Sequence, residues 1–200
     1  MAFRWKIPFL SQAVYSVWKL DAARKLAMIE DWIAPGQKLL EVGSGPGSVI
    51  EVFRAASHDV TGLDIADSSY STELAPVVYD GENMPFADGE FAAATVLTTL
   101  HHTPQPDLIL AEASRIARRV IVIEDVYSTR FQEFYTKLAD KITNLEFVGH
   151  PHSNRTDEQW LESFERLGLK PIHRKIHRLA GLFQQAVYVL EPKQCSSTSD

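Results

Sequence analysis

The sequence predicts an α/β fold built on a doubly wound, mostly parallel sheet with helices on both faces. Three observations carry this expectation. Short apolar runs without clean alternation recur along the chain, as strands covered on both faces require. Segments with helical spacing separate them. The first run feeds directly into Gly43-Ser44-Gly45-Pro46-Gly47, a strand-to-helix turn.

Taken in order, residues 9–33 carry apolar residues at helical spacing (Leu10, Val14, Val17, Trp18, Leu20, then Leu26, Ile29, Trp32, Ile33), and Asp21 has the chemistry of a cap between two helices. Pro35-Gly36 ends this segment, and Lys38–Val42 follows as a buried strand. Ser48–Ala56 reads as a helix with Val49, Ile50, Val52 and Phe53 on its packed side. Strands are expected at His58–Ile65, Val77–Tyr79, Phe91–Leu97 and Val120–Glu124. The link from the second to the third is polar, with Ser68, Ser69, Ser71 and Thr72, and too short for a full helix. A helix over Asp107–Ala117, introduced by Pro104 and Pro106, joins the last two strands.

A further helical stretch is expected over Thr129–Leu145, then a polar loop around His150. Thr156-Asp157-Glu158-Gln159 has the form of a capping box, and the helix it opens should stop at Gly168. Leu169–Leu179 and Phe183–Leu190 read as an antiparallel pair at one edge, making seven strands. The expected organisation is one domain over 1–191, with cap helices in 1–34, a core over 35–191 interrupted by a helical insert near 126–155, and a disordered tail over 192–200.

Composition narrows the function. Two hundred residues at 45% hydrophobic content suit one buried core. A net charge of -6 with scattered basic residues gives no general attraction for nucleic acid. The single cysteine, Cys195, forms no intrachain disulfide or cysteine cage, which suits a reducing cytoplasm. The N-terminus lacks the pattern of a signal peptide, and no stretch approaches the ~20 apolar residues of a membrane span.

The glycine turn holds the first functional signal. Glycine allows positive φ, leaves room for a close ligand, and in an open parallel sheet lies at the ligand-binding edge. A dinucleotide fingerprint needs glycine or alanine at 48, where Ser48 stands. Glu41, two residues before Gly43, would repel a pyrophosphate and welcome a cationic amino group. The expected ligand is zwitterionic rather than polyanionic.

Several motifs join the turn in register: Leu-Leu-Glu-Val-Gly-Ser-Gly-Pro-Gly at 39–47, Gly-Leu-Asp at 62–64, Tyr-Asp-Gly-Glu-Asn-Met-Pro-Phe at 79–86 and Leu-His-His at 100–102. Together they resemble the class I S-adenosylmethionine methyltransferases, in the small-molecule branch that includes the ubiquinone and menaquinone C-methyltransferases. The resemblance runs from about Lys38 to Glu124, more weakly to Leu190, and implies a Rossmann-like sheet. It further implies that Glu41 and the backbone of Gly43, Ser44, Gly45 and Gly47 receive the methionine part of S-adenosylmethionine. Asp64, followed by Ile65, would hold the ribose hydroxyls, and Asp80 the adenine amino group with Gly81 and Glu82 nearby. Leu97, within Val96-Leu97-Thr98, would line the sulfonium, and S-adenosylhomocysteine would be the product. The sequence departs from its relatives at Ala92, where they carry aspartate, and at Ala117-Arg118-Arg119, where they carry a Lys-Pro-Gly-Gly turn.

On the acceptor side, His102, Glu124 and Asp125 are candidates for proton transfer, and Tyr15, Trp18, His101 and His150 for substrate contact. Adjacent histidines on an extended segment would face opposite ways, so one of the two would enter the site. The spacing of these histidines and acids matches no recognised ligand pattern, and no metal is expected. The expected partner is a small hydrophobic or amphipathic methyl acceptor. Two other readings stay open: an NAD-linked oxidoreductase on a similar fold, and a non-catalytic methyltransferase-like binding subunit. Neither the oligomeric state nor the methylated atom is readable from the sequence.

Overall fold

The computed structural model describes residues 8–127, 155–179 and 183–193. The expected helix over 129–145, His150, Cys195 and nearly all of the 192–200 tail lie outside these residues.

A seven-stranded sheet organises the chain in the order β3-β2-β1-β4-β5-β7-β6. Its strands are β1 (Lys38–Val42), β2 (Asp59–Asp64), β3 (Val77–Val78), β4 (Ala93–Leu97), β5 (Val120–Val126), β6 (Leu169–Leu179) and β7 (Phe183–Pro192). The first five pair in parallel, and β7 runs antiparallel to both β5 and β6. The order reverses between β1 and β4, where the connections that follow the two parallel strands cross to opposite faces of the sheet and open a crevice at the strands' carboxyl ends.

Strand β5 shows why the apolar runs lacked alternation. Val120 and Val122 pack with Ile109, Leu110, Trp160 and Phe164 on one face. Ile121 and Ile123 pack with Ile29, Ile50 and Phe53 on the other. The helices on the first face are α3 (Pro106–Ile116) and α4 (Asp157–Arg166). Those on the second are α1 (Pro8–Ile29) and α2 (Ser48–Ala55).

Helix α1 corrects one expectation. Asp21 does not cap a second helix; its carboxylate meets Arg24 (2.6 Å) and Lys25 (2.8 Å) one turn onward within a continuous helix. No glycine or proline interrupts residues 9–29, so side-chain pairs at i+3 and i+4 support the helix where capping would have ended it. The capping box of α4 is present in both halves: Gln159 N–H donates to Thr156 Oγ1 (3.3 Å) and Thr156 N–H to Gln159 Oε1 (2.9 Å). Gly168 ends the segment at φ 66°. The polar link before β3 holds one turn of 3-10 helix at Thr72–Leu74.

Candidate functional site

The glycine turn follows β1 with three left-handed glycines at alternate positions, Gly43 (φ 74°), Gly45 (φ 49°) and Gly47 (φ 86°). They do different work. A Cβ on Gly43 would stand 2.6 Å from Thr99 Oγ1, and one on Gly47 would stand 2.7 Å from Leu74 Cβ. Both glycines are therefore required by packing. A Cβ on Gly45 would meet no atom within 4 Å, so that glycine faces open space. This is the cradle a ligand can approach.

The amides of the turn are not directed outward, contrary to the general expectation for such loops. Gly43 N–H and Ser44 N–H donate to Leu63 O (2.8 and 3.2 Å), Gly45 N–H to Asp64 Oδ2 (2.8 Å) and Gly47 N–H to Ser44 O (2.9 Å), while Pro46 has none. A pyrophosphate needs such donors, and residues 43–47 have none to give. The arrangement therefore disfavours a dinucleotide on grounds independent of Ser48.

What the turn does present is acceptors. Asp64 Oδ1 accepts from Ile65 N–H (2.7 Å), fixing the carboxylate at the end of β2 beside Gly45 with lone pairs still unused. Asp80 accepts from Glu82 N–H and Asn83 N–H (both 2.8 Å), and these bonds hold its carboxyl below the usual range. Ile65 is 64% exposed. A Cβ on Gly81 would lie 3.3 Å from it, so the exposed isoleucine stands beside the acidic 80–82 loop.

Beneath the turn, Glu41 is fully buried and accepts from the Thr95 hydroxyl on β4. Burial pushes its carboxyl up to about 8, and the Thr95 bond and the charge of Lys25 pull only partly back. Ser44 is buried, with no hydrogen-bond partner for its hydroxyl among the described residues. Leu97, also buried, ends β4.

Thr98 next to it takes φ 56°, a strained conformation for a β-branched residue. Its amide donates to Ile123 O (2.6 Å), and its hydroxyl accepts from Lys25 Nζ of α1 (2.7 Å). Sequence reading passed over Lys25, because a lysine in an amphipathic helix normally reaches solvent; this one is 6% exposed.

The acceptor-side candidates separate. Glu124 is fully buried; its Oε1 accepts from Thr99 N–H (2.8 Å) and Leu100 N–H (2.7 Å), and its Oε2 meets His101 Nδ1 (2.7 Å). It braces the loop after β4. His101 is buried with it. His102 is part-buried, and its ring lies 4.0 Å from that of His101, because Leu100–His102 forms a turn of 3-10 helix and not the extended segment expected. Asp125 is raised by burial and by the Glu124 charge, against a hydrogen bond from Gln185.

Tyr15 donates to Glu51 Oε2 (2.7 Å) and stacks on Tyr70 at 4.1 Å. Trp18 is partly buried against the core on the α1 side. His150 lies outside the described residues.

Comparison with known proteins gives this geometry a context. Residues 40–120 match a family described as a methyltransferase domain. The chain is 30% identical over 134 residues to a ubiquinone/menaquinone biosynthesis C-methyltransferase of Roseobacter denitrificans, covering 58% of this chain and 51% of that one. It is 28% identical over 125 residues to a demethylmenaquinone methyltransferase of Renibacterium salmoninarum, covering 57% and 53%. The chain thus spans about half the length of the curated relatives it matches. Among solved structures it is similar to a magnesium protoporphyrin IX methyltransferase from Synechocystis with bound S-adenosylhomocysteine, at TM-score 0.63 and 14% identity over 94% of this chain and 90% of that one. A methyltransferase from Methanosarcina mazei gives TM-score 0.65 at 15% identity, over 82% and 96%.

Proposed function

We propose that this chain is a class I S-adenosylmethionine-dependent methyltransferase similar to the ubiquinone/menaquinone C-methyltransferases, that it binds S-adenosylmethionine over the glycine turn, and that it methylates a small hydrophobic or amphipathic metabolite; the methyltransferase-domain match over residues 40–120 and the similarity to the quinone relatives support this reading. The observation that carries this reading is the set of acceptors around an open Gly45, with the turn's own amides consumed internally. An adenosine needs acceptors for its diol and amino group, and the carboxylates of Asp64 and Asp80 would supply them. Ile65 and Gly81 would flank the base. Glu41, two residues before Gly43, would face the amino-acid part.

The cofactor, when bound, supplies an electrophilic methyl group on a sulfonium. The chain's own contribution is alignment and exclusion of water. Leu97 and the strained Thr98 stand at the end of β4, where a fixed wall orients the reacting groups. His101 pairs with Glu124, and His102 is the histidine assigned to take a proton from an acceptor hydroxyl, amine or carbon acid. Asp125 is the carboxylate assigned to contact the acceptor.

The quinone relatives support an apolar acceptor class, as does the apolar and aromatic content of α1. The net charge supports a substrate other than nucleic acid. No helix among the described residues is long and apolar enough to cross a membrane, and with the cysteine content this supports a cytoplasmic setting.

Calorimetry with S-adenosylhomocysteine and NADH tests the reading. Binding of the first and not the second is expected, with Asp64→Ala abolishing it. Binding of NADH alone would overturn the assignment.

A further inference from the structure

Strand β6 forms one edge of the sheet, and its charge is one-sided. From Leu169 to Leu179 it carries Lys170, Arg174, Lys175 and Arg178 with His173 and His177, and no acid, in a chain of net charge -6. Its register divides these residues between two faces. Arg174 lies opposite Tyr188, on the α4 side, and closes on Asp157. His173, Lys175 and His177 lie opposite Val189, Val187 and Gln185, on the side that α1 covers.

Between that face of β6 and α1, with the 3-10 turn Glu30–Trp32 that follows it, runs a groove of about 400 Å³ lined by Arg24, Met28, Trp32, His173, Lys175 and His177. Its chemistry has two parts. Trp32 and Met28 supply an apolar wall, with the Trp32 ring 5.1 Å from that of His173. The other part is cationic. Arg24 is engaged by Asp21 and Gln185, but Lys175 and His177 have no hydrogen bond or ion pair among the described residues. Burial and the charges of Lys175, Arg24 and His173 all hold the His177 imidazole below its usual range, so the field at that ring is positive. Among the described residues of the lining, Asp31 is the one carboxylate, and it is exposed to solvent.

Charges that only deter a sheet edge from pairing point to solvent. His173 and His177 are instead half-buried in the groove. Cations gathered beside an indole recognise an anion that carries an apolar ring. Alternate residues of a strand stand about 7 Å apart on one face, so two of these side chains can meet the oxygens of one phosphate. A histidine can also take up a proton when a dianion arrives, which matches the second charge of a phosphate monoester.

We propose that this groove is a second ligand site, which takes a phosphate monoester with a planar apolar body. The body lies against Trp32 and Met28, and the phosphate between Lys175 and His177. The site is separate from the glycine turn, because β4, β5 and β7 lie between β1 and β6 and set the two strands about 19 Å apart across the sheet.

The test is calorimetry on the full chain with 1-naphthyl phosphate and its two fragments, 1-naphthol and inorganic phosphate. The wild type should bind the ester at least about tenfold more tightly than either fragment. Lys175→Gln and His177→Gln should each weaken the ester by about fivefold or more and leave S-adenosylhomocysteine binding unchanged. Saturating S-adenosylhomocysteine should not displace the ester. The proposal is overturned if the ester binds no better than a fragment, if S-adenosylhomocysteine displaces it, or if both substitutions leave its affinity unchanged. Binding to phosphatidylglycerol vesicles without binding of the soluble ester also overturns it, in favour of an edge that meets a membrane surface. The comparison of the three probes on the wild type needs no substitution, and thermal melts of the two variants separate loss of fold from loss of binding. Wild-type protein that binds S-adenosylhomocysteine but not the ester overturns this inference and leaves the cofactor reading standing.

Discussion

The side chain of Thr99 lies across Gly43, close enough that any Cβ there would stand 2.6 Å from its hydroxyl oxygen and nearer still to its methyl. The first glycine of the turn is thus held by the loop after β4, and the third by Leu74, while the second is open. The turn is a clamped structure with one functional opening.

This asymmetry predicts different phenotypes for neighbouring substitutions. Gly43→Ala combines a positive φ with a collision and should destabilise the fold by about 2–4 kcal/mol in urea denaturation. Gly45→Ala has the strained φ but no collision, and should cost only about 1 kcal/mol while abolishing measurable binding of S-adenosylhomocysteine. Equal stability losses in the two variants would contradict the packing described for Gly43.

Glu124 should behave as a structural residue. Its carboxylate serves two amides and His101 in a fully buried place. Glu124→Ala leaves these donors unpaired and should destabilise the protein by about 3–5 kcal/mol. A variant with wild-type stability and lost turnover would return Glu124 to the substrate.

Glu41 should leave a signature in the pH dependence of stability. Its carboxyl is raised by burial from 4.5 to about 8, so the folded protein holds a proton that the unfolded chain releases at lower pH. The stabilising contribution is therefore complete below about 4.5, declines as pH rises, and is gone once pH passes about 8. Glu41→Gln removes this slope. Wild type and variant should melt alike near about pH 5, and the variant should be the more stable near about pH 9. Parallel curves for the two proteins would show that Glu41 ionises at its ordinary value.

The capping box of α4 gives a prediction confined to stability. Thr156→Ala removes the acceptor for Gln159 N–H and should cost about 1 kcal/mol with no change in ligand binding. A binding defect in this variant would tie α4 to the site.

The sequence by itself determined the local order of this protein. The runs Lys38–Val42, Leu169–Leu179 and the Thr156 capping box are dictated by residues a few positions apart, as are the glycine turn and the acids that follow β2 and β3. Tertiary structure alone decided what these residues face. Asp21 was legible as a cap, yet became a helix-internal partner because Lys25 and Arg24 lie one turn ahead. Glu124 and His101 stand 23 positions apart and were legible as ligand-edge residues, but β4 and β5 lie side by side and turn them toward each other. Lys25 and Thr98 stand 73 positions apart, and no local pattern relates a lysine on a helix to a threonine at a strand end. Backbone conformation follows from near neighbours through sterics and hydrogen bonding. A charge buried against another segment follows from how helices pack on the sheet, which only the folded chain specifies.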